Sequence, residues 1–365
     1  MNAERLHAIA LVLNQEMTKT NVVGKLQELI TALQTVVNQP HPQHQQTLAN
    51  NLKAVYSALT DTVSDSFSPA WRQLLSEIGG DDLFGSELKK GIQNIFERNQ
   101  ITPAVALGEL QQLHKQLSSF KTGLDQLISS FRQFNIGDEN LPPGGCEIGM
   151  LIPRKAVDNS LPEFADELKE LAFILNTFSE VSTGKKDGLS IKTISSSDLM
   201  VYLDAVAPFA ACIAVAIERI VALYKQLLEI RKLHSDLCKQ GVPEEQTSGI
   251  KDYANALMEN GVEKVSVEIV EKFYHGHDKG RKNELVTATK ISLNRIANRI
   301  DRGYNLEVRV EPLQKPAQED KGTKEVLEKI QIIQAATKNM QFMRIDGPPI
   351  LRLPEGKEKP KGKKE

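Results

Sequence analysis

Apolar side chains recur at steps of three and four residues through most of the first 136 positions, which is the period of an amphipathic helix. Prolines interrupt this pattern near residue 40 and again at Ser68-Pro69, where a serine followed by a proline is typical of a helix start. A representative helical run contains Val22, Leu26, Leu29, Ile30 and Leu33. The pattern therefore predicts a helical bundle over residues 1–136.

The most regular part of this bundle is a heptad seam that begins after Thr102-Pro103, a second cap and proline pair. Its apolar positions alternate steps of three and four without a break. They are Leu110, Leu113, Leu117, Phe120, Leu124, Leu127 and Phe131, and Phe134 extends the series. Such a seam predicts packing against another helix at a shallow angle, as in a coiled coil.

The hydrophobic period changes after residue 136. Residues 137–145 include Pro142-Pro143-Gly144-Gly145 and predict a linker. Alternating apolar residues then predict strands at 146–153, 189–194, 200–203, 306–310 and 340–345, with helical patterns between them, and so an α+β domain over 146–353. The whole chain is thus predicted to be predominantly α-helical and α+β overall, with an N-terminal helical bundle, long coiled-coil-like helices and a small C-terminal sheet region.

A second seam predicts one long helix over residues 206–239. Its repeat includes Ile213, Ile220, Leu223, Leu227, Ile230, His234 and Leu237. At 1.5 Å per residue this helix would be about 50 Å long, so it is expected to project or to span both domains. A histidine at a seam position is expected to fix the register at some cost in stability.

Composition places the chain among soluble globular proteins. Of its 365 residues, 40% are hydrophobic and 25% are charged, and 47 acidic against 45 basic side chains leave a net charge of −2. Three cysteines without a CxxC pair favour the cytoplasm. Residues 205–217 are apolar on every face but too short for a typical membrane span, which makes membrane insertion the lesser alternative. Residues 354–365 are rich in lysine and predict a disordered tail.

Strong catalytic motifs are absent from the sequence. It contains no GxxxxGK[ST], GxGxxG, HExxH, GxSxG or CxxC pattern, which excludes the well-marked P-loop, dinucleotide, zincin and α/β-hydrolase classes. His275-Gly276-His277-Asp278 supplies at most half a metal site, so no metal or cofactor is predicted. The chain is expected not to be an enzyme, although a weakly marked enzyme class stays open.

Two sets of residues are candidates for binding phosphate or nucleic acid. The first is Ser195, Ser196, Ser197 and Asp198, whose alternative role is to satisfy backbone groups at a strand end. The second is a basic helix face that comprises Lys290, Arg295, Arg299 and Arg302. This face could neutralise phosphates, or it could pair with carboxylates of a neighbouring helix or subunit.

The leading hypothesis from the sequence is a non-catalytic bacterial interaction protein of the cytoplasm. It would self-associate or assemble with a protein partner through the two long seams. The alternative is a sensor that binds a phosphate ligand or nucleic acid, in a stress or phage-defence system. A third hypothesis is membrane association through the apolar helix at 205–217.

Overall fold

A computed structural model describes residues 3–186, 189–195, 199–313, 321–340, 342, 343, 345 and 347–356. The structure is 71% helical, with twelve α-helices and one four-stranded antiparallel sheet in the described residues. The predicted class, predominantly helical and α+β, is confirmed. The chain divides into two compact units, Met1–Asn140 and Leu141–Glu365, and the division falls within the segment predicted as a linker.

The first unit is a bundle of six α-helices in its described residues. They are α1 Ala3–Thr20, α2 Val22–Asn38, α3 Pro42–Ala58, α4 Pro69–Glu77, α5 Gly85–Arg98 and α6 Pro103–Gln133. Helix α4 begins as its sequence predicts, because the Ser68 hydroxyl caps the helix by accepting from the N–H of Trp71. The predicted proline start of α6 is also confirmed, but Thr102 makes no side-chain capping hydrogen bond, because its hydroxyl donates to Asn99 Oδ1 instead.

The seam of α6 lies inside this bundle. Leu110 and Leu117 are fully buried, Leu124 and Phe131 nearly so, and Leu113, Phe120 and Leu127 are partly buried against the same core. Helix α6 contacts α1, α2 and α5, so these seam residues pack against neighbouring helices of their own unit. Phe134, which follows the helix, is 72% exposed.

A buried carboxylate ties α1 to the loop that precedes α4. Glu16 is 6% exposed, and its two oxygens accept from the backbone N–H and the hydroxyl of Ser64, at 2.7 and 2.8 Å. Burial raises the pKa of Glu16 above its ordinary value of 4.5, and the hydrogen bonds from Ser64 offset only part of this rise. Ionising the Glu16 carboxylate therefore costs more free energy in the folded protein than in the unfolded chain.

The stability difference between the wild-type protein and a Glu16→Gln variant should depend on pH in a defined direction. A raised folded-state pKa stabilises the wild type fully below about pH 4.5, and this contribution is lost as pH rises through the folded-state value. Wild type should therefore lose stability relative to the variant as pH rises from about 4 to about 7. Urea unfolding followed by the fluorescence of Trp71, the single tryptophan, measures this difference. A difference that grows in favour of the wild type over this range would contradict the prediction.

The second unit packs helices against a four-stranded sheet. Its helices are α7 Leu161–Thr183, α8 Ala207–Lys225, α9 Leu228–Lys239, α10 Ser248–Phe273, α11 Lys279–Asp301 and α12 Lys321–Asn339. Its strands are β1 Cys146–Ile152, β2 Ser190–Ser195, β3 Leu199–Ala205 and β4 Asn305–Val310, in the order β2-β3-β1-β4. Four predicted strands are therefore confirmed. The strand predicted at 340–345 is wrong for its described residues, which are Met340, Phe342, Met343 and Ile345.

One sheet face belongs to the main apolar core of this unit. Ile148 of β1 lies between Leu203 of β3 and Val308 of β4, and helix α8 contacts both β1 and β4. Residues alternate across a strand, so Glu147 points to the opposite face. There it forms ion pairs with Lys192 and Arg309, at 3.4 and 3.5 Å.

The single helix predicted over residues 206–239 is wrong. Helix α8 ends at Lys225 and α9 begins at Leu228. The two residues between them donate to carbonyls three positions earlier, Gln226 to Leu223 and Leu227 to Tyr224, which tightens the turn and interrupts the α-helix. Helix α8 does not project, because residues 209–217 are all buried and the helix contacts α7, α10, α11 and α12.

The second seam is consequently a set of core contacts shared by two helices. Ile213, Ile220 and Leu227 are fully buried, and His234 is 1% exposed. Leu223 and Ile230 are partly buried against the same core, and Leu237 is half-buried. The three-four spacing continues across the break, which explains why the sequence pattern predicted one helix.

Helix α8 is also the one described helix that is long and apolar enough to cross a membrane. Its mean hydropathy reaches 1.7 in an 18-residue window, and 72% of that window is buried inside the protein. A core helix of a soluble protein satisfies the same criterion of length and composition. The contacts of α8 with four helices and two strands account for its apolar surface.

Candidate functional site

An irregular segment near the C-terminus, residues 347–356, crosses the surface of the second unit; we call it the strap. Ile350, Leu351 and Leu353 are buried, whereas Arg352 and Pro354 are exposed. Residues 354–356 were predicted to belong to a disordered tail, and this part of the prediction is wrong. The buried apolar side chains and the hydrogen bonds described below hold the strap in place. Residues 357–365 lie outside the described residues.

The local sequence prevents the strap from forming a helix. Gly347 adopts a φ of +80°, a backbone conformation that side chains disfavour, and a Cβ at this position would lie 2.7 Å from the Ser235 hydroxyl. Pro348 and Pro349 then fix φ and lack N–H groups. The polar main-chain groups of the strap must therefore find partners elsewhere.

Side chains of the second unit bind four consecutive N–H groups of the strap. Asp301 Oδ2 accepts from Ile350 and from Leu351, both at 2.7 Å. The next two N–H groups are bound by asparagines: Asn255 Oδ1 accepts from Arg352 at 2.7 Å, and Asn298 Oδ1 accepts from Leu353 at 3.0 Å. The distances are those of well-formed hydrogen bonds.

The carbonyls of the strap accept hydrogen bonds from asparagine and arginine side chains of the second unit. Five carbonyls accept hydrogen bonds: Gly347 from Arg231, Ile350 from Asn255, Leu353 from Asn298, Pro354 from Asn294 and Glu355 from Arg295, at 2.7–3.2 Å. Asn298 thus binds both polar groups of Leu353, as a neighbouring strand would in a sheet. We call Arg231, Asn255, Asn294, Arg295, Asn298 and Asp301 the clamp residues.

Helical spacing explains why the clamp residues form a continuous line. Asn294, Asn298 and Asp301 follow each other at four and three positions and share one face of α11. They bind progressively earlier residues of the strap, so the strap runs antiparallel to α11. Helix α9 contributes Arg231 at one end, and α10 contributes Asn255 on the other side. We call this channel the strap groove.

A buried ionic cluster supports one end of the strap groove. Arg231 is 4% exposed and pairs with fully buried Asp301. The Tyr224 hydroxyl donates to Asp301 Oδ1 at 2.6 Å and accepts from Arg231 Nη1 at 2.8 Å. Burial raises the pKa of Tyr224, and the charge and hydrogen bond of Asp301 raise it further, so this hydroxyl stays a donor at neutral pH. The cluster aims Asp301 Oδ2 at the strap.

The basic face of α11 shares Arg295 with the clamp residues and pairs with carboxylates. Arg295 binds Glu170 and stacks on Phe173, with its guanidinium carbon 4.4 Å from the ring centroid. Arg299 is 3% exposed, and its Nε lies 2.6 Å from Glu167. Both glutamates belong to α7. Of the two roles predicted for this face, the structure shows pairing with carboxylates of a neighbouring helix.

The other predicted basic residues are more exposed. Arg302 is 40% exposed and reaches Glu355 of the strap at 3.8 Å, and Lys290 pairs with Glu263 of α10 at 3.0 Å. Phosphate binding by this face would require the arginines to exchange their carboxylate partners for phosphate. Phosphate binding is therefore the second candidate function.

The other predicted phosphate site falls mostly outside the described residues. Ser195 ends β2 opposite Met200, and Ser196, Ser197 and Asp198 are not among the described residues.

Other polar groups of the second unit do not form a comparable binding site among the described residues. The Cys238 Sγ lies 3.8 and 3.9 Å from the two ring nitrogens of His234, one helical turn away on α9. In the described part of the chain, no cluster of three or more His, Cys, Asp or Glu side chains is arranged to hold a metal ion.

An open groove of about 810 Å³ borders the strap at Asn255, Ile350 and Arg352. The strap is therefore accessible from this side.

Comparison with known proteins gives no family for this chain. No protein-family model matches it, and neither curated proteins nor solved structures yield a significant match. The geometry of the strap groove is therefore the basis for a functional proposal.

Proposed function

We propose that this chain is a non-catalytic protein-interaction module of the cytoplasm, and that its α+β unit binds an extended peptide segment in the strap groove. The strap occupies the groove within the same chain, and a segment of a partner protein or of a second copy would take its place. The observation that supports the proposal is the binding of four N–H groups and five carbonyls of the strap by side chains.

A groove whose side chains bind main-chain groups can exchange one bound peptide segment for another. These hydrogen bonds would form with an extended segment of similar shape that has N–H groups at the four bound positions, since they do not otherwise depend on the side chains of that segment. The clamp residues are held by rigid helices and by the buried cluster around Asp301, so the groove is preorganised. The open groove beside Asn255 gives a competing segment access to the strap. These features favour peptide binding over the seams as the basis of interaction.

Exchange of the strap in trans is the direct test. A protease site inserted between Met340 and Gly347 would let the folded chain be cleaved, which converts the strap into a separate peptide. The cleaved strap must first be removed, by dialysis against mild denaturant followed by return to native buffer, because its hydrogen bonds survive cleavage. A fluorescent peptide with the sequence of residues 347–356 should then bind saturably, as measured by fluorescence anisotropy. Absence of binding to cleaved chain that retains its native circular dichroism would refute the proposal.

An Asn298→Ala change in the cleaved chain should weaken peptide binding by roughly 10- to 100-fold, because two hydrogen bonds to Leu353 are lost. Asn283→Ala is the matched control, since Asn283 is an exposed residue of the same helix, away from the strap. The control should leave the affinity unchanged. Equal affinities for the two variants would show that the peptide binds elsewhere.

A further inference from the structure

At one end of the strap groove, the Glu355 carboxylate lies within reach of three side chains, Asn298, Arg299 and Arg302. Asn298 Nδ2 donates to Glu355 Oε1 at 2.6 Å. Two guanidinium groups approach the same carboxylate, Arg302 at 3.8 Å and Arg299 at 3.9 Å. Arg295 meanwhile binds the backbone carbonyl of Glu355. The side chain and the main chain of this one residue are therefore both recognised.

Charge balance supports this assignment. The α11 face carries three arginines, Arg295, Arg299 and Arg302, and α7 supplies two carboxylates, Glu167 and Glu170. One positive charge is left over, and Glu355 neutralises it. Glu167 pairs with Arg299 and Glu170 with Arg295, so the remaining charge is that of Arg302, which is 40% exposed and lies 3.8 Å from the Glu355 carboxylate. An occupant of the groove without an acidic group at this position would leave the imbalance uncorrected.

The four bound N–H groups impose a second requirement on the occupant. Residues 350–353 each donate to a clamp residue, so proline is excluded from these positions. The prolines of the strap, Pro348, Pro349 and Pro354, lie just outside this stretch. Within it, Ile350, Leu351 and Leu353 are buried and Arg352 is exposed, so three positions require apolar side chains and one does not.

We propose that the partner of the strap groove is an extended peptide of defined pattern that carries one carboxylate side chain. It carries two adjacent apolar residues, any residue except proline, a third apolar residue, and a glutamate or aspartate two positions later, with no proline in its first four positions. This inference rests on the proposed function, because it specifies the ligand of the same groove. The strap has this pattern and occupies the groove of its own chain.

Three variants of the 347–356 peptide test the pattern on the cleaved chain. Glu355→Gln should weaken binding by about 5- to 30-fold, the effect of losing a charge-assisted interaction at a partly exposed site. Arg352→Pro should weaken it by about 10-fold or more, because the N–H bound by Asn255 is removed while an exposed side chain is exchanged. Pro354→Ala, which alters a proline outside the bound N–H groups, should leave the affinity within about twofold.

An Arg302→Gln change in the protein tests whether the groove recognises the charge of Glu355, as distinct from a change that weakens binding of every peptide equally. Arg302 is 40% exposed, so the variant is expected to fold, and it should reduce the affinity ratio between the parent peptide and the Glu355→Gln peptide. If the Glu355→Gln peptide binds the wild-type groove as tightly as the parent, the acidic requirement is wrong and the proposed function stands. If the parent peptide does not bind at all, both fail.

Discussion

Replacing Asp301 by asparagine should lower the free energy of unfolding of the α+β unit by about 3–5 kcal/mol, as expected when one partner of a buried ion pair is removed. Asp301 is fully buried, and both of its oxygens accept hydrogen bonds. Oδ1 accepts from Tyr224 and Arg231, and Oδ2 accepts from two strap N–H groups. An asparagine must turn its NH2 group toward donors on one of these sides. The variant also leaves the charge of Arg231 without its buried counterion.

Urea unfolding followed by far-ultraviolet circular dichroism measures this loss. Trp71 belongs to the helical bundle, so its fluorescence reports the first unit and provides an internal reference. The matched control is Asp166→Asn, whose carboxylate is 71% exposed and pairs with Lys169, and it should change stability by less than about 0.5 kcal/mol. An Asp301→Asn protein with the control's unfolding curve would show that the cluster does not hold the unit together.

The same substitution should also loosen the strap locally. Amide hydrogen exchange of residues 350 and 351 is expected to accelerate more than exchange in α8, because their acceptor is the altered group. Exchange that rises equally in both segments would indicate global destabilisation without a specific role at the strap. The local measurement thus separates the two contributions of Asp301.

Helices and strands were predictable where a local period decides them. The helical spacing before residue 136 and the alternation at Cys146–Ile152 and Asn305–Val310 both correspond to observed elements. The break between α8 and α9 was not predictable in this way, because Leu223, Leu227 and Ile230 keep the helical period across it. Arg231 lies just beyond the break and pairs with Asp301, a residue 70 positions away in sequence, and periodicity carries no information about such a pair.

The strap groove escaped prediction for a related reason. Its apolar run, Ile350-Leu351-Arg352-Leu353, is short and stands between prolines and lysines, which is typical of a tail leaving the fold. The available signal was in α11, where Asn294 and Asn298 occupy one buried face four residues apart although asparagine is a poor helix former. Buried amides in that arrangement indicate a main-chain partner. The sequence pattern could not show that the partner is the strap.

The basic face of α11 illustrates the limit of a charge pattern. Spacing correctly placed Arg295, Arg299 and Arg302 near one another, but the same spacing fits phosphates and carboxylates equally well. The choice depends on α7, whose Glu167 and Glu170 lie 132 and 125 positions from their arginine partners in sequence. These two carboxylates pair with Arg299 and Arg295. The remaining arginine, Arg302, approaches Glu355 of the strap, as Arg299 also does.

Replacing Leu117 by aspartate should unfold the helical bundle rather than dissociate an assembly. Leu117 is a central seam residue of α6 and is fully buried. The change removes an apolar side chain from a packed core and places a carboxylate there, at a cost of more than about 5 kcal/mol, which is comparable to the whole stability of a typical domain. The fluorescence of Trp71, which is 6% exposed in the same core, should shift to that of a solvated indole.

Phe134→Asp is the matched control for this prediction, because Phe134 continues the same heptad series and is 72% exposed. The control should retain native Trp71 fluorescence and an unfolding midpoint close to that of the wild type. If the seam were instead a surface for self-association, Leu117→Asp would keep a folded bundle and lower the molar mass measured by light scattering. Packing of the seam within its own unit therefore predicts loss of structure, whereas an intermolecular seam predicts loss of assembly.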